Sequence, residues 1–206
     1  MKYLGTVLFL AACILVSAQS PQSAPQPAAT PPAAPAAAAV DPAELAALIK
    51  QQFGETFSVP PKFPNPVLIA DFDGDGVPDI AIVATSKDPI PDSYAFKYDV
   101  EDPYLAFFGL TNPKIASSFN ADPEHTRHLL VILGSGKDAW RAATPKMKFA
   151  LINVPFDSVE VGRMLVSKKK PPIFIIKALE AQIMNSSLWF DAKKKRWKWE
   201  PGDTIQ

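Results

Sequence analysis

The sequence predicts an α+β fold, in which an N-terminal helix accompanies a largely antiparallel β-sheet. Asp41, Pro42 and Glu44 are residue types that cap and open helices, so they mark a helix start. Farther along, apolar segments of strand length alternate with turn residues, as in consecutive strands joined by short connections. Two of these segments enclose the acidic loop 71–79, which gives a strand–loop–strand unit. A helix followed by mostly antiparallel strands is the α+β class.

The remaining elements follow in chain order. The helix should end near Phe53, because Gly54 interrupts its apolar stripe. We expect strands at 67–70, 80–84, 128–133, 140–142, 148–154, 173–178, 187–190 and 196–199. Between them, residues 86–127 are rich in proline and aromatic side chains, with short helical turns predicted at 103–109 and 113–119. This long segment either packs its aromatic rings over a sheet face or forms a ligand-binding loop.

The loop between the first two strands concentrates acidic side chains. Its four carboxylates within nine residues belong to Asp71, Asp73, Asp75 and Asp79. Carboxylates held in contact repel by about 4 kcal/mol per pair at an effective dielectric constant of about 20, so the loop should attract a cation. Alternate positions of a curled loop converge, and the backbone carbonyl of Val77 can add a further oxygen. Such a set of hard oxygen ligands favours Ca²⁺, whereas Zn²⁺ would require Cys or His. The alternative is a glycine-rich polar turn that stays solvated.

The loop differs from an EF-hand, which needs a bidentate Glu at its twelfth position, where this chain has Ile82. The pattern Asp-x-Asp-x-Asp-Gly-x-x-Asp between two apolar strands resembles the calcium loop of FG-GAP and VCBS-type repeats, known from integrin-like β-propellers. The similarity covers residues 66–85 and implies that Asp71, Asp73, Asp75 and Asp79 bind calcium by side chain and Val77 by backbone. The sequence holds one copy, so the resemblance implies a metal site without a propeller. A single such loop is also similar to those of small secreted bacterial domains.

The amino terminus predicts export. Residues 1–18 have the charged start, apolar centre and small-residue cleavage site of a signal peptide. Residues 19–40 contain six Pro and nine Ala without charge, which is typical of an extended linker. Residues 41–206 then form one globular domain in the periplasm or outside the cell. In an alternative interpretation, Leu10 to Cys13 is a lipoprotein motif, and a lipid on Cys13 retains the protein at the membrane.

Charge and cysteine content exclude some classes of protein. Acidic and basic side chains balance at 21 each, so the sequence gives no sign of a nucleic-acid partner or an anionic membrane surface. Cys13 is the one cysteine, which rules out an internal disulfide. Stability should therefore come from core burial, with a contribution from a bound metal.

These observations predict an exported, non-catalytic calcium-binding domain with a structural or interaction role in the cell envelope, its partner being a protein or a glycan. One alternative is a secreted hydrolase that uses His125 or His128 with an Asp, since these are the two histidines in the chain. Another is a carbohydrate-binding module that stacks sugars on Trp189, Trp197 and Trp199.

Overall fold

The computed structural model describes residues 40–110, 127–166, 171–180 and 184–202. The elements lie in one compact unit, Ala34–Gln206. In chain order they are α1 Pro42–Phe53, β1 Val67–Ala70, β2 Asp79–Thr85, α2 Ser93–Phe96, β3 Asp99–Glu101, α3 Pro103–Phe107, β4 Arg127–Leu133, a 3₁₀ segment Gly136–Arg141, β5 Met147–Leu151, β6 Ser158–Met164, β7 Ile173–Glu180, β8 Met184–Asp191 and β9 Arg196–Pro201.

The strands form two sheets. The first has five strands in the order β1-β2-β4-β5-β3, and the second has four in the order β6-β7-β8-β9. Every pair is antiparallel except β3 with β5, which run parallel. The mixed and mostly antiparallel character predicted from the sequence is confirmed at this level, but the strands divide between two sheets where one was predicted.

The main core lies between the two sheets. The first sheet contributes alternate residues such as Ala81 and Leu129 to this core. The second sheet contributes Ile176, Leu188 and Trp197. Period-two alternation places these side chains on the inner face of each strand. Face-to-face packing of two sheets therefore holds β1 and β2, and the loop between them, against a rigid layer.

Helix α1 covers the opposite face of the first sheet. Its residues Leu45, Ile49 and Phe53 pack with the other set of strand side chains, including Ile80 and Leu130. The Asp41 side chain accepts the Ala43 N–H at 3.0 Å and caps the helix. Because both faces of β2 and β4 are covered, these strands read as continuous apolar runs in the sequence.

Several local predictions differ from the structure. Residues 140 and 141 end the 3₁₀ segment and Ala142 caps it, so 140–142 is not a strand, and Trp140 is turned into the core beside α1. Glu44, expected in a capping box, instead pairs with Arg141 at 2.6 Å. Strand β6 was not predicted from the sequence. Its signal is the alternation of Val159 and Val161 with polar or small residues. Strand β3 has three residues, too few for any periodic pattern.

The predicted helical turn at 103–109 corresponds to α3, whereas the one at 113–119 lies outside the described residues. Among the residues that the structure describes, helices lack the combined length and apolar character that crossing a bilayer demands. The predicted signal peptide 1–18, with Cys13, lies outside the described part of the chain, and so does the predicted linker 19–40 apart from Val40.

Candidate metal centre

The acidic loop joins the end of β1 to the start of β2 at one end of the first sheet. Gly74 and Gly76 have φ angles of 78° and 86°, in the left-handed region that glycine adopts without a Cβ clash. Two such residues within three positions let the backbone turn sharply. Three of the loop's four carboxylates consequently converge on a common centre.

Three of the predicted side-chain ligands meet at this centre. Asp71, Asp73 and Asp79 each offer a carboxylate oxygen, and the three oxygens lie within 4.8 Å of one another. Two oxygens that bind one calcium ion at about 2.3–2.6 Å can be at most about 5 Å apart. The spacing of these oxygens therefore suits a calcium ion.

Asp79 is the buried member of the group. Its side chain is fully buried, and its two oxygens accept the backbone N–H groups of Phe72 and Gly134, each at 2.7 Å. Burial raises the pKa of Asp79 to about 7, and the nearby Asp73 and Asp71 carboxylates add to the rise against those two hydrogen bonds. A carboxylate in this position gains more from a bound cation than an exposed one does.

Asp71 organises the backbone of the loop. Its oxygens accept the N–H groups of Gly74 at 2.8 Å, Asp75 at 3.0 Å and Gly76 at 2.8 Å. Each carboxylate oxygen has two lone pairs, so these bonds leave acceptor capacity toward the centre. Asp71 thus holds the loop in its curled form and also faces the candidate ion position.

Asp73 and Asp75 share a lysine. Lys146 Nζ lies 2.6 Å from Asp73 Oδ2 and 2.8 Å from Asp75 Oδ2. Asp75 lies outside the convergent group, and its other oxygen accepts the N–H of Val77 at 2.8 Å. Burial raises the pKa of Asp73, while for Asp75 burial is outweighed by hydrogen bonds from Lys146 and Val77, and its pKa falls. The structure thus brings together three of the five predicted ligands. Val77 was predicted to bind through its carbonyl oxygen, and the contact seen here is its N–H donating to Asp75.

Two residues of this site are missing from the sequence-based prediction. Lys146 is separated from Asp73 by 73 positions, and Gly134 from Asp79 by 55. A Cβ on Gly134 would lie 2.4 Å from the Pro78 carbonyl oxygen, so the loop packs directly on this glycine. Local sequence patterns do not predict either contact. Both form only because the fold packs the β4–β5 connection against the loop.

Comparisons with known proteins find no relative. No family model matches the sequence, and neither a curated protein nor a solved structure shows significant similarity to it. The resemblance of residues 66–85 to FG-GAP and VCBS calcium loops therefore stays a prediction, and the argument for a metal rests on the geometry of the loop.

His128, one of the two histidines in the hydrolase alternative, is fully buried in β4. Its ring contacts Phe57 edge-to-face with centroids 6.1 Å apart, and its Nε2 lies 3.3 Å from the Ser86 carbonyl oxygen. A groove of about 850 Å³ beside α1 is lined by side chains such as Leu45 and Val67, without His128. His128 thus lies away from any substrate in this groove, and His125 lies outside the described residues.

We expect His128 to make stability depend on pH. Burial lowers the pKa of His128 to about 4, against 6.5 for an ordinary histidine. The unfolded chain therefore binds a proton first as pH falls, and stability that is complete above about pH 6.5 is lost toward pH 4. Relative to His128→Gln, the wild type should lose about 2 kcal/mol of unfolding free energy between about pH 7.5 and 5. Urea denaturation of both proteins at the two pH values measures this difference, and parallel pH profiles would contradict it.

The tryptophans of the glycan alternative do not form a common surface. Trp197 and Trp199 are 1% and 2% exposed and lie in the core between the sheets. Trp189 is half-buried on the outer face, paired in register with Lys198, whose Nζ lies 4.4 Å from the ring centroid. The expectation of a three-tryptophan stacking platform is thus wrong, because alternation along β8 and β9 sends Trp189 and the other two to opposite faces.

The aromatic residues of 86–110 divide between core and surface. Tyr98 packs on Phe53 and Phe57, and its hydroxyl donates to the Pro89 carbonyl at 2.9 Å. Phe107 and Phe108 lie against Trp199 but remain about half exposed. In the described part of this segment, Phe96, Tyr98 and Tyr104 pack on the two cores, whereas Tyr94 is exposed.

Proposed function

We propose that the protein is an exported, non-catalytic domain that binds one calcium ion at the 71–79 loop. The observation that carries this proposal is the convergence of Asp71, Asp73 and Asp79, with their oxygens within 4.8 Å and Asp79 fully buried. Placing three acidic groups this close costs free energy unless a cation offsets their repulsion. Calcium accepts six to eight oxygen ligands in a flexible geometry, so carbonyl and water oxygens complete the shell.

The role of the ion in this proposal is structural. It ties β1 to β2 at the loop and, through Asp79 and Gly134, also to the end of β4. The candidate ligands already carry backbone hydrogen bonds, and the ion would occupy their remaining acceptor capacity, so in this proposal the loop's carboxylates serve architecture. An ion that binds only the folded state raises the free energy of unfolding. The size of this increase depends on the ratio of the calcium concentration to the dissociation constant.

The setting of this function comes from the sequence. The signal-peptide pattern of residues 1–18 and the Pro/Ala-rich linker place the domain in the cell envelope or outside it. There the domain has a structural or interaction role with a protein or glycan partner. A lipid on Cys13 is the alternative mode of retention.

A calcium titration followed by thermal melting tests the proposal. At a calcium concentration about 100 times the dissociation constant, the gain of about 2.7 kcal/mol should raise the melting temperature of the wild type by about 5–10 °C. Asp73→Asn removes one ligand charge with little change in volume and should abolish most of this rise.

Asp191→Asn is the matched control for the titration. Asp191 also accepts backbone N–H groups within a turn, from Lys193 and Lys194, and it pairs with Lys198, but it is the last residue of β8 in the second sheet. Its variant should keep the full response to calcium. A wild-type melting temperature that stays constant up to millimolar calcium would show that the loop is a solvated turn.

A further inference from the structure

The position of Lys146 bears on how the proposed site would bind its ion. Its backbone N–H donates to the Leu133 carbonyl at 2.9 Å, which anchors the residue where β4 and β5 leave the sheet. From this anchor, Nζ reaches Asp73 Oδ2 at 2.6 Å and Asp75 Oδ2 at 2.8 Å. A cationic group that belongs to the chain thus already lies at the edge of the acidic loop.

Asp73 takes part in two competing arrangements. One of its oxygens belongs to the group formed with Asp71 and Asp79, while its Oδ2 holds the ammonium of Lys146. The Asp73 side chain is 2% exposed, so water does little to screen charges placed on either side of it. A calcium ion and an ammonium on the same carboxylate would repel each other at a separation of a few ångströms.

Lys146 has a path away from the site. Its side chain is 45% exposed and that of Asp75 is 31% exposed, so both border solvent. An exposed lysine changes rotamer rapidly, so the ammonium can turn away toward solvent. Its departure would also release Oδ2 of Asp75, the predicted side-chain ligand that lies outside the convergent group.

We propose that Lys146 is an intramolecular counter-ion that competes with calcium for Asp73 and Asp75 and thereby sets the affinity and ligand number of the site. The inference rests on the proposed calcium function. In the absence of calcium the ammonium offsets the repulsion among the carboxylates and keeps the loop folded. Calcium displaces it, and Asp75 then joins Asp71, Asp73 and Asp79 around the ion.

Calorimetric titration with calcium chloride tests this exchange in four proteins: the wild type, Lys146→Met, Lys146→Arg and Lys177→Met. Removing a positive charge a few ångströms from a divalent ion should tighten calcium binding by about tenfold in Lys146→Met. Lys146→Arg retains the charge and should bind as weakly as the wild type. Lys177 is the matched control, because it is also 45% exposed and pairs with a carboxylate, Glu160 at 3.1 Å, in a distant sheet.

Melting in EDTA supplies a second readout. Without calcium, Lys146→Met should melt below the wild type since its carboxylates have lost their counter-ion, and saturating calcium should bring it back to at least the wild-type value. If Lys146→Met is too unstable to titrate, Lys146→Gln removes the charge and keeps a hydrogen-bond donor.

The outcomes separate the two proposals. Tighter binding in the neutral variants alone, in a wild type that also binds calcium, supports the exchange. Calcium binding that only the neutral variants show overturns the calcium function of the wild type and leaves Lys146 as the group that blocks the loop. Equal or weaker affinity in Lys146→Met and Lys146→Gln, in a wild type that binds calcium, overturns the role of Lys146 and leaves the calcium site standing. Absence of binding in the wild type and in every Lys146 variant overturns both.

Discussion

Trp197→Ala should lower the free energy of unfolding by about 3–5 kcal/mol, the range for truncating a large aromatic side chain in a core. Trp197 is 1% exposed, and its ring lies 6.0 Å from that of Phe72, 5.7 Å from Phe190 and 6.4 Å from Phe149. Phe72 belongs to the acidic loop, so this tryptophan joins the loop to both sheets. Chemical denaturation in EDTA measures the loss.

Trp189→Ala is the control for this truncation. Trp189 lies on the outer face of the same hairpin and is half-buried, with Lys198 over its ring. Its truncation should cost about 1 kcal/mol, because the ring leaves no cavity inside the core. Equal losses in the two variants would be inconsistent with the burial of Trp197 between the sheets.

Asp79→Ala should destabilise the protein by about 3 kcal/mol even when calcium is removed with EDTA. The change leaves the backbone N–H groups of Phe72 and Gly134 without their acceptor, in a place that is closed to water. An unsatisfied buried donor costs about 1–3 kcal/mol. Urea denaturation of the calcium-free variant and wild type gives the difference directly.

Asp75→Ala changes the same loop at an exposed position and serves as the comparison. The Asp75 side chain is 31% exposed, and its bonds to Val77 N–H and Lys146 are open to competition from water. Its removal should cost less than about 1 kcal/mol. If Asp75→Ala proved as damaging as Asp79→Ala, the two hydrogen bonds from Phe72 and Gly134 would not be the source of the effect.

The covered strands were the easiest features to predict from the sequence. Residues 80–84 and 129–133 are continuous apolar runs, in keeping with helix α1 covering one face of β2 and β4 and the second sheet covering the other. An apolar run predicts that a strand is buried on both faces, but it does not identify the element that packs on each face. For this reason the run pattern led to strands at the right places and yet to one sheet instead of two.

The β8–β9 hairpin also shows that the sequence of a strand does not identify what packs against it. Alternation along β9 puts Trp197 and Trp199 on one face, and the sequence alone left that face open to solvent or to the core. The choice depends on Phe149 of the first sheet, which meets Trp197 only after the two sheets pack, whereas Phe190 already lies beside Trp197 in the β8–β9 hairpin. A strand's own residues hold no information about that opposing layer.

For the candidate metal centre, local sequence determined the acidic loop itself. Alternating carboxylates with Gly74 and Gly76 between them produce a tight turn whose side chains converge, since the spacing and the backbone freedom both lie within nine residues. Tertiary structure decided which carboxylate is buried and which carries a counter-ion. Gly134 and Lys146 reach Asp79 and Asp73 from the β4–β5 connection, and contacts across 55 and 73 positions depend on how the sheet brings distant segments together.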